Sequence, residues 1–228
     1  MTVRLRLVSG TDTGVGKTVA TAALACVHHA GGRRAAAVKP VQTGLLPGEP
    51  GDSAEVQRLA GVDTTELVRL PEPLAPESAA FRSGAELPAV PELARRIAAW
   101  IDSAARPEVV LVEGAGGVAV RLDREGGTLL DLGIALESYG AVDVVLVVRA
   151  GLGTLSATEL SVEAIRRAGL EPAGIIVGSW PADPDLASRS NAEDLPRLTG
   201  VPLLGRIPAG AGQLTPLRFR ADSASWLA

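Results

Sequence analysis

Short apolar runs alternate with longer amphipathic stretches along the chain, and that alternation sets the expected elements. Residues 3–8 predict a first strand, and 17–30 an alanine-rich helix that Gly31-Gly32 stops. Residues 34–41 predict a second strand closing at Lys39-Pro40, and 52–60 a short helix for which Asp52 is a suitable N-cap. The Pro-rich passage Pro71-Glu72-Pro73-Leu74-Ala75-Pro76 predicts a loop, and 91–104 a helix. Residues 108–112 predict a strand running into Glu113-Gly114-Ala115-Gly116-Gly117, followed by a helix over 128–138 and a buried strand over 142–148. Gly151-Leu152-Gly153 leads into a helix over 154–168, ended by Gly169. A strand over 173–177, a helix near 191–198, a strand over 202–207 and a C-terminal segment complete the pattern. Strands interleaved with helices in this way imply an α/β fold, with a mostly parallel central sheet covered by helices on both faces. With no internal repeat and no low-complexity linker, residues 1–228 are expected to form a single domain.

Composition narrows the classes. With 46% apolar and 21% charged residues the chain reads as ordinary globular protein. A net charge of −4 gives no basic face for nucleic acid, so no nucleic-acid partner is expected. Residues 142–148, the longest apolar run, are far short of a membrane span, and the N-terminal stretch lacks a signal-peptide core. The expected location is the cytoplasm, away from membranes. A single cysteine, Cys26, excludes an intrachain disulfide and reads as a small core residue.

The basic residues carry a sharper signal. Of 22, only Lys17 and Lys39 are lysine, and the rest are arginine. Lysine is a compact point charge and arginine a planar fork, so the two differ at a phosphate or a reacting centre. Both lysines are therefore candidates for chemistry before any motif is considered.

Lys17 falls in Gly10-Thr11-Asp12-Thr13-Gly14-Val15-Gly16-Lys17-Thr18, between an apolar strand and an alanine-rich helix. That is the setting of a P-loop, whose glycines let backbone N–H groups converge on phosphate oxygens at a helix N-terminus. Thr13, Gly14, Val15 and Gly16 are the expected cradle, Lys17 reaches the β- and γ-phosphates, and Thr18 offers its hydroxyl to Mg2+. Five residues rather than four separate Gly10 from Gly16.

Mg2+ wants further oxygen ligands, and two carboxylates are placed to supply them. Glu113 follows an expected strand where ligands gather in open α/β sheets, and Gly114, Ala115 and Gly116 after it allow close approach of backbone to nucleotide. Asp52 lies in the glycine-flanked stretch after the second strand; a helix cap is its other reading. Lys39 ends that strand and reads as a second cation on a reacting phosphoryl group. Thr43-Gly44 can offer a hydroxyl and free backbone to a substrate.

Gly10-Thr11-Asp12-Thr13-Gly14-Val15-Gly16-Lys17-Thr18, Lys39-Pro40-Val41-Gln42-Thr43-Gly44 and Val112-Glu113-Gly114-Ala115-Gly116-Gly117 together resemble the signature segments of the dethiobiotin synthetases, whose P-loop has the same extra residue. Matches at Leu152-Gly153-Thr154-Leu155 and near Ile207-Pro208 extend the resemblance over nearly the whole chain. It implies a P-loop enzyme that takes 7,8-diaminononanoate, CO2 and ATP to dethiobiotin, ADP and phosphate, through a carbamate and a carbamic–phosphoric anhydride. It implies Mg2+ held by Thr18, Asp52 and Glu113, catalytic Lys17 and Lys39, and Thr13 and Thr43 positioning phosphate and diamine. It also implies a homodimer, with the substrate carboxylate resting on the partner's helix N-terminus near Gly151, Leu152, Gly153 and Thr154. Three positions depart from the pattern. Gly14 stands where many members have Glu, Ser156-Ala157 where Asn-His is frequent, and Gly178-Ser179-Trp180 where an asparagine reads adenine. Base recognition is then expected from backbone at Gly178, Ser179, Pro208, Ala209 and Gly210.

Two other classes share the P-loop. Partitioning and septum-positioning switch ATPases carry a second lysine five places before the main one, where this chain has Asp12. Cobyrinic-acid-type amide synthases add a glutamine-hydrolysing domain, for which this chain is too short. His28-His29 are read as placed by the dipole at the end of the first helix, and Arg95-Arg96 and Arg166-Arg167 as solvated faces.

Overall fold

β1 (Val3–Gly10) turns Leu5 and Leu7 to one side and Val8 to the other, and all three are buried. Because side chains alternate along a strand, burial of both parities requires cover on both faces of the sheet. The computed structural model, which describes residues 3–103 and 106–227, supplies that cover. β4 (Val109–Glu113) and β5 (Gly140–Val148) repeat the pattern. Val110, Val112, Val144 and Leu146 join Leu5 and Leu7 in one core, while Val109, Leu111, Val145 and Val147 join Val8 in the other.

The first core is closed by α3 (Pro76–Ser83), α4 (Val90–Ser103), α5 (Leu129–Leu136), α6 (Thr154–Arg167) and α7 (Leu186–Thr199). The second is closed by α1 (Lys17–Ala30), α2 (Asp52–Ala60) and α8 (Pro216–Asp222). α1 buries Ala20, Ala22, Ala23 and Ala25, whose small side chains let its axis lie close to the strands. Phe219 of α8 is fully buried there and meets Trp226 edge to face at 5.2 Å, so the C-terminal segment is part of this layer. Burying such a side chain contributes about 2 kcal/mol.

With β2 (Ala35–Thr43), β3 (Asp63–Leu70), β6 (Pro172–Trp180) and β7 (Leu203–Pro208), the strands form one sheet in the order β3-β2-β4-β1-β5-β6-β7. Every pairing between strands is parallel, a stronger statement than the mostly parallel sheet expected. β1 lies between β4 and β5, so the chain leaves it toward one edge and later returns to build the other. The crevice above the carboxyl ends at that point is where open α/β sheets bind ligands.

The helices over Lys17–Ala30 and Asp52–Ala60 fall where the pattern placed them. Position 104, the expected end of α4, lies outside the described residues. β3 and α3 were not anticipated. β3 is an edge strand carrying Asp63, Glu66 and Arg69, charges that suit a sheet margin and hide its apolar alternation. The loop expected over 71–76 ends one residue early, because Pro76 opens α3, where its missing N–H costs nothing. Asp52 is not the cap of α2: that position is Gly51, and Asp52 is the first helical residue. His28 also departs from its reading. It is buried, its Nε2 has no partner, and burial together with Arg6 and Arg33 lowers its pKa to about 4. A neutral imidazole gains nothing from the helix dipole.

Candidate active site

The loop between β1 and α1 crosses the sheet at the crevice. Gly14 (φ 73°) and Gly16 (φ 99°) take left-handed backbone, which L side chains rarely adopt. α1 begins at Lys17 with no capping side chain and no acid in its first turn, so its first N–H groups stay available to an anion. Val15 is buried beneath the loop, and Gly16 sits so close to Gly178 that an added Cβ would fall 2.6 Å from the Gly178 carbonyl oxygen. β6 is the platform on which the phosphate loop rests. Lys17, only 7% exposed, donates from Nζ to the Asp12 carbonyl at 2.9 Å within the loop. Burial and the charge of Lys39 lower its pKa.

Lys39 reaches the same place from β2. The β2–β4 pairing ends at Val38↔Val112, so Lys39 and Glu113 are the next residues on two strands that have stopped pairing. Pro40 follows there, where no ladder bond to β4 is lost. Lys39 is 4% exposed, and its Nζ donates to Glu113 Oε1 at 2.9 Å and to the Gly114 carbonyl at 3.0 Å. It also forms an ion pair with Asp52 Oδ2 at 2.5 Å. Thr18 donates its hydroxyl to the same Glu113 Oε1 at 2.9 Å.

This cluster puts a buried cation between a buried carboxylate and a half-buried one, with a hydroxyl beside them. Burial works against the Lys39 charge, but Glu113 and Asp52 outweigh it and hold the ammonium above its ordinary pKa. Burial likewise opposes the Asp52 carboxylate, and Lys39 more than compensates, leaving it below the usual range. Glu113 is pushed up, by burial first and by Asp52 among its neighbours, despite Lys39.

Thr13, Gly14, Gly16, Lys17 and Thr18 line a cleft of about 840 Å³ together with Lys39, Thr43, Asp52, Glu113, Ala115 and Gly116. Pro73, Leu74, Ala75 and Pro76 form its apolar wall, a use of the Pro-rich passage that its sequence did not disclose. Gly114 contributes its carbonyl to Lys39 rather than a lining surface. Gly178 and Ser179 at the end of β6 lie beside Pro208, the last residue of β7, and Ala209 and Gly210 beyond it, tied by the Ala209 N–H to the Trp180 carbonyl at 2.7 Å. Arg206 stacks over the Trp180 ring at 4.8 Å. Gly151, Leu152, Gly153 and Thr154 are not among the residues lining the cleft; they form the N-terminus of α6, where Leu152 is 88% exposed. Two polar residues at the site, Gln42 and Arg149, are not singled out by type or spacing. Gln42 and Asp12 make hydrogen bonds within it, and Arg149 pairs with Asp12 at 2.7 Å.

The donor set of the cluster is all oxygen, two carboxylates and a hydroxyl, which suits a hard cation such as Mg2+. Among the described residues no group of three or more His, Cys, Asp or Glu side chains forms a closed cage. Mg2+ bound with nucleotide needs none, because phosphate oxygens and waters fill its remaining positions.

A parallel sheet with a glycine loop opening a helix beneath buried lysines defines a P-loop nucleotide-binding protein. A family model described as an AAA domain matches residues 5–214. The fold is shared with the signal recognition particle 54 kDa protein of Aeropyrum pernix, solved with GDP, at TM-score 0.61 and 22% identity, over 98% of this chain and 46% of that one. It is shared too with the septum site-determining protein MinD of Pyrococcus horikoshii, solved with Mg-ADP, at TM-score 0.57 and 20% identity, over 99% and 93%. At the level of sequence, the chain is 51% identical to the ATP-dependent dethiobiotin synthetase BioD of Streptomyces coelicolor over 97% of its length and 91% of that protein. It is 49% identical to the enzyme of the same name from Rhodococcus jostii over 96% and 93%. The chain belongs to the ATP-dependent dethiobiotin synthetase family.

Proposed function

We propose that this cleft carboxylates 7,8-diaminononanoate with CO2 and closes the product to dethiobiotin at the expense of ATP. The observation that carries the reading is Lys39, a buried ammonium on Asp52, Glu113 and the Gly114 carbonyl, beside the phosphate loop. One amine of the substrate attacks CO2, giving a carbamate and releasing a proton. A carbamate oxygen attacks the γ-phosphoryl group of ATP, and ADP leaves. The second amine attacks the carbonyl carbon of the mixed anhydride and gives up a proton, phosphate leaves, and the cyclic urea is closed. Each step separates or moves negative charge, and positioning with charge neutralisation is most of what phosphoryl transfer requires.

Lys17 and the N–H groups of residues 13–18 hold the phosphates, and Thr13 orients the terminal one. Lys39 steadies the carbamate and the phosphoryl group, and Thr43, further along β2 in the cleft lining, orients the diamine. Thr18, Asp52 and Glu113 would hold Mg2+, which supplies charge neutralisation on the phosphate oxygens when bound. Backbone at Gly178, Ser179 and residues 208–210 reads the base. The whole chain acts as one domain, and no helix among the described residues is long and apolar enough to cross a membrane.

The α6 N-terminus stands apart from the cleft lining, presents Leu152 to solvent and keeps its first N–H groups free of side-chain caps. It serves the cleft of a second copy, where it anchors the substrate carboxylate. Subunit complementation tests chemistry and sharing together. Lys39→Ala and Gly153→Glu should each lose phosphate release that depends on both diamine and bicarbonate. Mixing the two variants should restore about a quarter of wild-type activity through hybrid dimers carrying one intact site. No recovery on mixing contradicts the shared site, and wild-type release that ignores the diamine contradicts the reaction.

A further inference from the structure

Thr43 and Asp52 sit at the two ends of the β2–α2 loop, and the intervening Gly44-Leu45-Leu46-Pro47-Gly48-Glu49-Pro50-Gly51 has little of its own to pack. Beside the Lys39–Asp52 ion pair, the buried side chain of Gln42 ties the two ends to one another. Its Oε1 accepts the Asp52 N–H at 2.9 Å, and its Nε2 donates to the Thr43 carbonyl at 3.0 Å. The Asp52 N–H is one of the donors that the first turn of α2 leaves without an intrahelical partner. Gly51 passes close to this strut and to the Glu66–Arg69 pair. A Cβ there would lie 2.9 Å from Gln42 Oε1, 3.0 Å from Glu66 Oε2 and 3.1 Å from Arg69 Nη2.

The rest of the loop is held separately. Arg69, the register partner of Gln42 on β3, is clamped to Glu66 at 2.7 and 2.8 Å and donates to the carbonyls of Leu46 at 3.0 Å and Glu49 at 2.6 Å. Loop shape therefore has its own fastening, and both bonds of the Gln42 amide go to the main chain of the two functional residues.

We propose that Gln42 is a positioning residue that sets Asp52 and Thr43 as one unit, so that the metal subsite and the diamine subsite are held in register by a single amide. The inference rests on the roles given to Asp52 and Thr43 above. An amide accepts on one side and donates on the other; a carboxylate keeps the first bond and loses the second.

The test uses the intact protein and two readouts. Titration calorimetry gives the affinity for ATP in Mg2+ and in EDTA, and the ratio of the two measures metal coupling. Steady-state kinetics give KM for diaminononanoate. Asp52→Asn, the reference, should lower the ratio. Gln42→Met should lower it by about tenfold, the cost typical of losing a partner behind a metal ligand, and should also raise KM. Gln42→Glu should retain the ratio while KM still rises, a split that a merely structural role would not produce. If the Met variant does not fold, Gln42→Asn, one methylene short of both partners, should show the double loss. A folded Gln42→Met or Gln42→Asn with wild-type ratio and KM overturns the inference while leaving the function intact. An Asp52→Asn protein with an unchanged ratio removes the metal role of Asp52, and the inference goes with it.

Discussion

Two buried bases of this chain, Lys39 and His28, meet opposite fates for reasons that lie in their immediate neighbours. Lys39 has two carboxylates at hydrogen-bond distance and keeps its proton. His28 faces Arg6, Arg33 and Arg4 with only Asp143 opposing them, and Arg6 already holds Asp143 through two bonds at 2.6 and 2.8 Å. Its pKa falls to about 4 from an ordinary 6.5. The sign of the consequence follows from proton uptake. Above 6.5 both folded and unfolded chains carry a neutral imidazole, and His28 contributes no pH dependence. As pH falls from 6.5 toward 4 the unfolded chain binds a proton that the folded chain refuses, and stability drops. The full loss is on the order of 3 kcal/mol below the folded value. Urea midpoints measured across this window should therefore fall for the wild type and fall less for His28→Leu. Parallel profiles for the two proteins would show that His28 titrates normally.

At the scale of elements, the phosphate loop and β6 are one device. An added Cβ at Gly178 would lie 2.0 Å from the Val15 carbonyl oxygen and 2.7 Å from Val147 Cγ1, so the loop must move if β6 gains a methyl group. Gly178→Ala should destabilise the fold by about 1–3 kcal/mol, as overpacking does. It should also weaken ATP binding by about tenfold or more, or roughly 1.4 kcal/mol. Paired urea melts and ATP titrations check this, and wild-type affinity in the variant would contradict the coupling. Nothing in the sequence beside Gly178 marks that role, because the contact joins residues far apart along the chain. The P-loop itself was legible, since its glycines, lysine and flanking elements are contiguous. Lys39 stood out through the scarcity of lysine, and its partners Glu113 and Asp52 through their places after strands. The charges of β3 obscured that element, and the Pro-rich wall read as loop because its packing partners come from other strands. Gln42 is not legible in the sequence, because it falls just past the expected strand over 34–41 and a lone glutamine carries no pattern of its own; only the folded register places its amide between Thr43 and Asp52.

At the scale of the molecule, strand order decides where chemistry can occur. β1 lies between β4 and β5, so the phosphate loop emerges next to Glu113 on one side and the segment leading to α6 on the other. β2, one strand further out, brings Lys39 and Thr43 across, and α2 returns Asp52 to them. One cleft thus gathers groups from several crossovers, while the α6 N-terminus points elsewhere with Leu152 exposed. The structural relatives bind guanine and adenine nucleotides on the same architecture, so the fold alone does not choose a reaction. In the function proposed above, the choice rests on Lys39 and its carboxylates. The most direct measurement follows a labelled carbon. Protein incubated with 7,8-diaminononanoate, labelled bicarbonate, Mg2+ and ATP should place the label in an acid-stable ring. A Lys39→Ala protein that still binds ATP should not. Label retained by the variant would remove Lys39 from the chemistry, and no labelled ring from wild type with nucleotide bound would contradict the account at its centre.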